Sequence, residues 1–405
     1  MRLSWRSSCV RPHSRAAIPE RGLLYTSRAR SRRAGVAHTG MRVAYLSLQA
    51  VVDGQDSWAA VTEIISGFEA LGWVVDRYFA TYGEDSPPPL ARLAEMRRVQ
   101  RQLAARIADY DVLYVRAHPM ALYAANAARR ADVPVIQECN GPYEDLFIAW
   151  PSTRVARPLF EHLQRHQYRN AAAIISVAEG LTRWLVADTG NPNVFTNGNG
   201  ANTRIFSPDA SRREGLPERF AVFFGQFPPW QGIGTLLDAV RDPSWPADVS
   251  LVFVGDGAMR PEVRRAVTEM PDRVVYLGKL PYAEVAGVAA HAALSLVPML
   301  APEREEKFSP LKLYESMACG VPVVASDTIG ISEIVREHDC GILVPAGDAP
   351  AIAAAVRDLV ADPARSGAMG RRGRDAAVSR YSWEARARER AAIIERALVC
   401  RRSQA

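Results

Sequence analysis

The stretch EKFSPLKLYESMACGVPVVASD, residues 306–327, reads as a loop, a helix and a buried strand in succession. Ser309 can cap a helix, and Pro310 suits its first position. Leu311, Tyr314 and Ala318 then recur on one face, which predicts packing. Lys312 and Glu315 stand one turn apart and can point at one ligand. Gly320-Val321-Pro322 turns the chain tightly into the strand. The N–H groups and positive end of such a helix favour phosphate. Glu315, a turn deeper, can accept hydrogen bonds from a vicinal diol such as a ribose. The bland alternative is a surface helix carrying an ion pair between Lys312 and Glu315.

The basic residues sharpen the question. The chain holds 50 lysines and arginines, and only Lys279, Lys307 and Lys312 are lysine. Two of those three lie in the quoted stretch. A composition so biased towards arginine leaves lysine mainly where an ammonium is useful.

Working outward, short β-branched runs alternate with helical patterns, which predicts parallel α/β units. Strands are expected at 42–48, 74–80, 111–117, 134–138, 173–177 and 193–196, and again at 220–226, 250–255, 274–278, 294–298, 322–325 and 342–344. Helical patterns fall between them, at about 58–71, 90–108, 119–131, 155–170 and 179–187. In the second half they fall at 232–241, 259–269, 281–291, 311–319, 330–336 and 349–361. SPDASRREGLPER, residues 207–219, reads as a linker. The expected division is residues 41–206 and 220–380 as two doubly wound domains, with 381–405 a helix that can cross back to the first. Ligands of such sheets bind at the carboxyl ends of the strands, so two of them imply a cleft.

The net charge of +6 does not describe the folded body. Residues 1–40 hold nine arginines and one acid, Glu20, which leaves −2 for the other 365 residues. Nucleic-acid binding is therefore not expected. This extension is Arg-rich, Ser-rich and acid-poor, in the manner of a transit peptide. A second reading puts the natural start at Met41, with residues 1–40 disordered or mis-assigned. No apolar run is long enough for a transmembrane helix. Five scattered cysteines without C-x-x-C spacing suggest neither disulfides nor zinc, and fit a reducing compartment.

The quoted stretch resembles the signature of glycosyltransferase family 4, the retaining nucleotide-sugar enzymes of the GT-B fold. That signature has a Glu, seven residues, a second Glu, then a Met-Ala-Cys/Ala-Gly-x-Pro-Val-Val-Ala-Ser run. Glu315 is the second Glu, followed by Ser316-Met317-Ala318-Cys319-Gly320-Val321-Pro322-Val323-Val324-Ala325-Ser326. Lys307 stands where the first Glu belongs, in the Ser-Pro-Leu-Lys-Leu-Tyr-Glu variant of the pattern. LVFVGDGAMRPEV (251–263), NGANTRIFSP (199–208), AIISVAEGLTRWL (173–185) and Gly330-Ile331-Ser332-Glu333 match further parts of the family in order. The resemblance implies two Rossmann-like domains facing across a cleft, the second binding the donor.

The family usually places an Arg and a Lys in the loop after the first strand of the second domain, to hold the donor diphosphate. Here both are glutamine, Gln226 and Gln231. Charge-assisted bonds to phosphate are about twice as strong as neutral ones. Lys312, assisted by Lys307, is therefore expected to supply the missing charge. The donor-site residues implied are Gly54, Gln226, Gln231, Lys307, Phe308, Ser309, Pro310, Leu311, Lys312 and Glu315. On the first domain, Arg116 and His118 follow one strand and Glu138 and Asn140 end the next, which makes them acceptor-side candidates. Catalytic roles are expected of His118, Glu315 and Lys312.

Asp109-Tyr110-Asp111 spells an Asp-x-Asp but precedes a strand at the end away from the cleft, and it reads as a turn. His162 and His166 lie among arginines and read as a solvated basic face. No cofactor and no essential metal are expected. The resemblance implies transfer from a nucleotide-diphosphate sugar to the hydroxyl of a glycan, lipid-linked or small-molecule acceptor, with retention. A sugar-nucleotide epimerase and a non-enzymatic nucleotide-sugar-binding relative are the rivals. The arginine-bearing patterns at 92–106 and 154–169 can touch anionic lipid. The expected location is cytoplasmic, with peripheral contact at the inner face of a membrane left open.

Overall fold

A computed structural model describes residues 40–51, 56–81, 87–300 and 309–402. Residues 1–39 of the extension, and the donor-site candidates Gly54, Lys307 and Phe308, lie outside the described residues.

Among the described residues, twelve parallel strands form two sheets. The first comprises β1 (Arg42–Ser47), β2 (Val74–Phe79), β3 (Val112–Arg116), β4 (Val135–Cys139), β5 (Ala173–Ser176) and β6 (Val194–Thr196), in the order β2-β1-β3-β4-β5-β6. The second comprises β7 (Phe220–Gln226), β8 (Ser250–Asp256), β9 (Val274–Tyr276), β10 (Leu294–Val297), β11 (Val323–Ser326) and β12 (Gly341–Val344), in the order β12-β11-β10-β7-β8-β9. All twelve fall on the runs picked out above. Both sheets lie in one unit, His38–Ala405, and the architecture is GT-B.

Most inner strands are largely apolar because helices cover both faces of each sheet, whereas the edge strand β2, Val-Val-Asp-Arg-Tyr-Phe, is only partly buried. In β7, Phe220, Val222 and Phe224 enter one core with Leu313, Tyr314 and Met317. Ala221 and Phe223 enter the opposite core with Ile233, Leu236 and Val356. A fully buried phenylalanine of this kind contributes about 2–3 kcal/mol.

The helices of the first half are α1 (Asp56–Ala70), α2 (Pro89–Arg106), α3 (Leu122–Arg130), α4 (Glu144–Ala149), α5 (Arg157–Arg169) and α6 (Glu179–Thr189). Those of the second are α7 (Ile233–Arg241), α8 (Arg260–Glu269), α9 (Tyr282–Ala289), α10 (Leu311–Ala318), α11 (Ser332–His338), α12 (Ala349–Ala361) and α13 (Pro363–Ser379), followed by α14 (Trp383–Arg402).

Two helices have no counterpart in the sequence reading, α4 and α13. Helix α13 carries Gly367, Gly370 and Gly373, which weaken any helical forecast. Packing explains Gly370: a Cβ there would stand 1.9 Å from the Gly320 carbonyl oxygen. The turn that ends α10 rests directly on the α13 backbone.

Helix α14 leaves the second domain and packs on the first. Trp383, Ile393 and Ile394 share a core with Val61, Ile64 and Phe68 of α1. The crossing is pinned where Ala201 pairs with Ser382, through Ala201 N–H to Tyr381 O at 2.9 Å and Trp383 N–H to Ala201 O at 3.1 Å. Arg390 of α14 is 0% exposed. It donates to Asn197 Oδ1 at 2.5 Å and Tyr114 Oη at 3.1 Å, and lies 3.5 Å from Glu138 Oε1.

Strand order reverses between β1 and β3 in the first sheet and between β7 and β10 in the second. Ligands of open α/β sheets bind at such switch points. Helix α1 leaves the first of them, and α10 follows β10 at the second.

Candidate active site

A cavity of about 550 Å³ opens between the carboxyl ends. Trp58 and Ala59 of α1 line one side. Across it stand Gly225 and Gln226 at the end of β7, Asp256 and Gly257 at the end of β8, Lys279 and Leu280 after β9, and Leu311 and Glu315 of α10. Pockets of 300–1,000 Å³ with a few converging polar groups are the usual form of a small-ligand site.

The strand ends are built to approach closely. Gly255 has φ +130°, and a Cβ there would lie 1.8 Å from the Gly225 carbonyl oxygen. Glycine alone meets both demands, so the floor of the cavity is bare backbone.

Helix α10 is no surface helix: Lys312 is 6% and Glu315 5% exposed. Burying a charged group costs several kcal/mol unless it is paired, so both need partners. Lys312 Nζ donates to Gln231 Oε1 and lies 4.0 Å from the centre of the Phe223 ring. The Glu315 Oε1 atom accepts from Tyr282 Oη at 2.9 Å. Glu315 reaches the cavity, while Lys312 runs beneath the β7 loop.

The cap is corrected. Pro310 occupies the N-cap and no side chain caps the helix. Ser309 Oγ instead lies 3.0 Å from Tyr314 Oη and accepts from Asn199 N at 3.3 Å, while Asn199 Nδ2 donates to Ser309 O at 2.7 Å. Ser309 thus ties α10 to the segment that leaves the first domain.

Of the two glutamines that replace cations, Gln226 is exposed on the cavity. Gln231 is buried, with its carbonyl oxygen taken by Lys312. The cavity also holds two cations that the sequence reading did not assign, Arg260 and Lys279. Arg260 Nη1 donates to Asp256 Oδ2 at 3.1 Å. Lys279 had a signal, as the remaining lysine of three, but its loop carries no pattern that places it. Trp58 and Tyr282 are also newly seen here.

The first-domain candidates do not line this cavity. Arg116 Nη1 donates to Glu138 Oε1 at 3.1 Å, and Tyr45 Oη to Glu138 Oε2 at 3.1 Å. Burial pushes the Glu138 carboxyl up, but Arg390 and Arg116, helped by hydrogen bonds from Asn140 and Tyr114, outweigh it and hold the carboxyl below its ordinary value. Glu138 therefore joins β4 to α14 as a buried anion, and Asn140 supports it.

His118 is 8% exposed, and its Nδ1 accepts from Met120 N at 3.2 Å, capping a short 3-10 turn. Burial, and secondarily the Arg92 charge, pull it from 6.5 to about 4. The ring is neutral at pH 7. A lowered histidine makes the unfolded chain the better proton acceptor, so stability is complete above 6.5 and declines as pH falls towards 4. Between pH 7 and pH 5 the loss amounts to about 2 kcal/mol. His118→Asn, whose amide oxygen can keep the cap, is expected to flatten that part of the pH–Tm curve.

Among the described residues no group of three or more His, Cys, Asp or Glu side chains is placed to hold a metal. Asp111 Oδ2 accepts from Arg42 N at 2.9 Å, at the start of its strand.

Residues 57–200 match a family described as "Glycosyl transferase 4-like domain", and residues 218–362 one described as "Glycosyl transferases group 1". The chain is a family 4 glycosyltransferase. The transferase is 27% identical over 311 residues to the GDP-mannose-dependent alpha-(1-6)-phosphatidylinositol monomannoside mannosyltransferase of Mycolicibacterium smegmatis, covering 71% of this chain and 78% of that one. It is 28% identical over 323 residues to the phosphatidyl-myo-inositol mannosyltransferase of the same organism, covering 76% and 78%. Sucrose-phosphate synthase from Thermosynechococcus elongatus shares the fold, with a TM-score of 0.71, 21% identity, and coverage of 89% of this chain and 100% of that one. The transferase is thus a nucleotide-sugar enzyme, and the epimerase and scaffold readings fall away.

Proposed function

We propose that the transferase moves a mannosyl group from GDP-mannose to a hydroxyl of a phosphatidylinositol-type lipid, with retention and without an essential metal. The sugar C1–O bond to the diphosphate breaks and a bond from C1 to the acceptor oxygen forms on the same face. The acceptor proton leaves with the diphosphate oxygens. In this reading Glu315 holds the ribose hydroxyls, and Lys312, Arg260 and Lys279 offset the charge that grows on the leaving diphosphate. Closure of the cleft keeps water from the sugar.

The observation that carries the donor class is the cavity itself, where a buried carboxylate on α10 faces two cations, Arg260 and Lys279, while Lys312 lies beneath the β7 loop. The choice of mannose and of an inositol lipid is supported by the two mycobacterial relatives, whose alignment spans over two thirds of both chains.

A lipid acceptor needs a docking face, and α2 suits one. Leu90 is 81% and Leu93 42% exposed, beside the exposed Arg97, Arg98 and Arg101. Val155, 93% exposed, and Leu159, 56% exposed, are further exposed apolar side chains in the same domain. Basic amphipathic helices of this kind settle on anionic membranes. Among the described residues no helix is long and apolar enough to cross one.

The test is a thermal-shift screen of nucleotide sugars, then transfer assays with vesicles that contain phosphatidylinositol. A ligand at 100 times its Kd adds about 2.7 kcal/mol of stability. The expected result is the largest shift with GDP-mannose and a mannosylated lipid product of unchanged anomeric configuration after chelation. A larger shift with a uridine donor, or an inverted product, overturns the reading. Arg97→Glu with Arg101→Glu is expected to lower vesicle binding about tenfold while donor affinity is kept.

A further inference from the structure

We propose that Tyr282 is the positioning residue for the Glu315 carboxylate, and that Trp58 of the opposite domain holds Tyr282 in place. Ribose recognition in the second domain would then depend on a ring supplied by the first. This inference rests on the reading that Glu315 binds ribose.

Tyr282 is the first residue of α9, and its hydroxyl donates to Glu315 Oε1 at 2.9 Å. Its ring is held on two sides. Phe206 meets it edge-on at 4.9 Å and 65°, and Phe206 is itself stacked on Phe224 at 6.3 Å and 24°. Trp58 of α1 meets it at 6.2 Å and 72°. All of these residues line the one cavity. Phe206 and Phe224 are fixed in the core of the second domain, so Trp58, on α1, is the member that comes from the first domain.

A second contact seats α1 at the same boundary. Asn202, in the segment leaving the first domain, donates through Nδ2 to Glu63 Oε1 at 2.6 Å. Glu63 lies five residues beyond Trp58 on α1, so the helix carrying Trp58 is anchored next to the crossing.

The last torsion of a glutamate is broad and roughly two-fold, so an unsupported carboxylate samples many planes. A vicinal diol needs one plane. A phenol fixed by two rings and donating to one oxygen selects it before the nucleotide arrives, and preorganisation of this kind raises affinity by removing an ordering cost. The phenol does not touch the reacting atoms; it acts through Glu315.

The experiment compares GDP with its 2′,3′-dideoxy analogue by titration calorimetry, using the full chain. Tyr282→Phe keeps the ring and removes only the hydroxyl. Its expected effect is a loss of GDP affinity of about three- to tenfold, with dideoxy-GDP changed by less than about twofold. Trp58→Ala is expected to show the same selective loss, and to add little on the Tyr282→Phe background. Trp58→Phe is expected to restore much of it. Melting curves confirm that each variant is folded.

Glu315→Gln tests ribose recognition separately from the role of Tyr282. If Glu315→Gln leaves the preference for GDP over dideoxy-GDP intact, the ribose reading of Glu315 fails. If Glu315→Gln abolishes that preference but Tyr282→Phe does not reduce it, Tyr282 is not the positioning residue. Tighter GDP binding by Tyr282→Phe would mean that the phenol competes with ribose, which also overturns the proposal. Equal losses for both nucleotides in Trp58→Ala would overturn the link between the domains.

Discussion

Arg390→Met is expected to destabilise the protein by about 3–5 kcal/mol, because it leaves a buried carboxylate short of a cation. Arg390 is fully buried on α14, within reach of Glu138, Tyr114 and Asn197. Glu138 keeps Arg116 and Tyr45 in the variant, which favours the lower end of the range. The measurement is urea unfolding at pH 7, read as a shift of midpoint at constant slope. Adding Glu138→Gln removes the stranded charge and is expected to recover part of the loss. A change of less than about 1 kcal/mol in Arg390→Met would show that the network is solvated and contributes little.

Lys312→Met is expected to weaken donor binding about 10- to 100-fold, the range for a lost hydrogen bond to a charged group. Methionine can keep the contact with Phe223, so the fold should hold. The cavity is lined by Arg260 and Lys279, with Lys312 beneath the β7 loop, so the comparison must include Arg260→Ala and Lys279→Ala. Salt dependence gives a second readout, because removing a cation that faces phosphate flattens the fall of affinity with ionic strength. If Lys312→Met stays within about twofold of wild type, the charge lost from the β7 loop is supplied by Arg260 and Lys279 instead.

The strands and most helices were legible because their patterns are local. Runs such as Phe220–Gln226 are apolar throughout, and helices such as α7 repeat at 3.6 residues. Helix α13 was not legible, since its glycines make sense only against the Gly320 turn. At the site, Glu315 and Lys312 stood out by motif and by rarity. Their surroundings did not. Tyr282 meets Glu315 only after β9 and β10 have paired with separate neighbours, and Trp58 arrives from α1 of the first domain. Arg390 looks like one more arginine on a polar helix, and nothing near it in sequence announces Glu138.

The return of α14 to the first domain has a consequence for synthesis on the ribosome. The first sheet is complete once β6 has emerged, yet Glu138 still lacks Arg390 and the α1 face still lacks Trp383 and Ile394. Roughly 190 residues separate β6 from Arg390, so at 5–20 residues per second the first domain waits about 10–40 s for its own cover. During that interval an apolar stripe along α1 is open to solvent, and a chaperone that masks α1 would be needed most there. The nascent protein closes its first domain only after its second has been made.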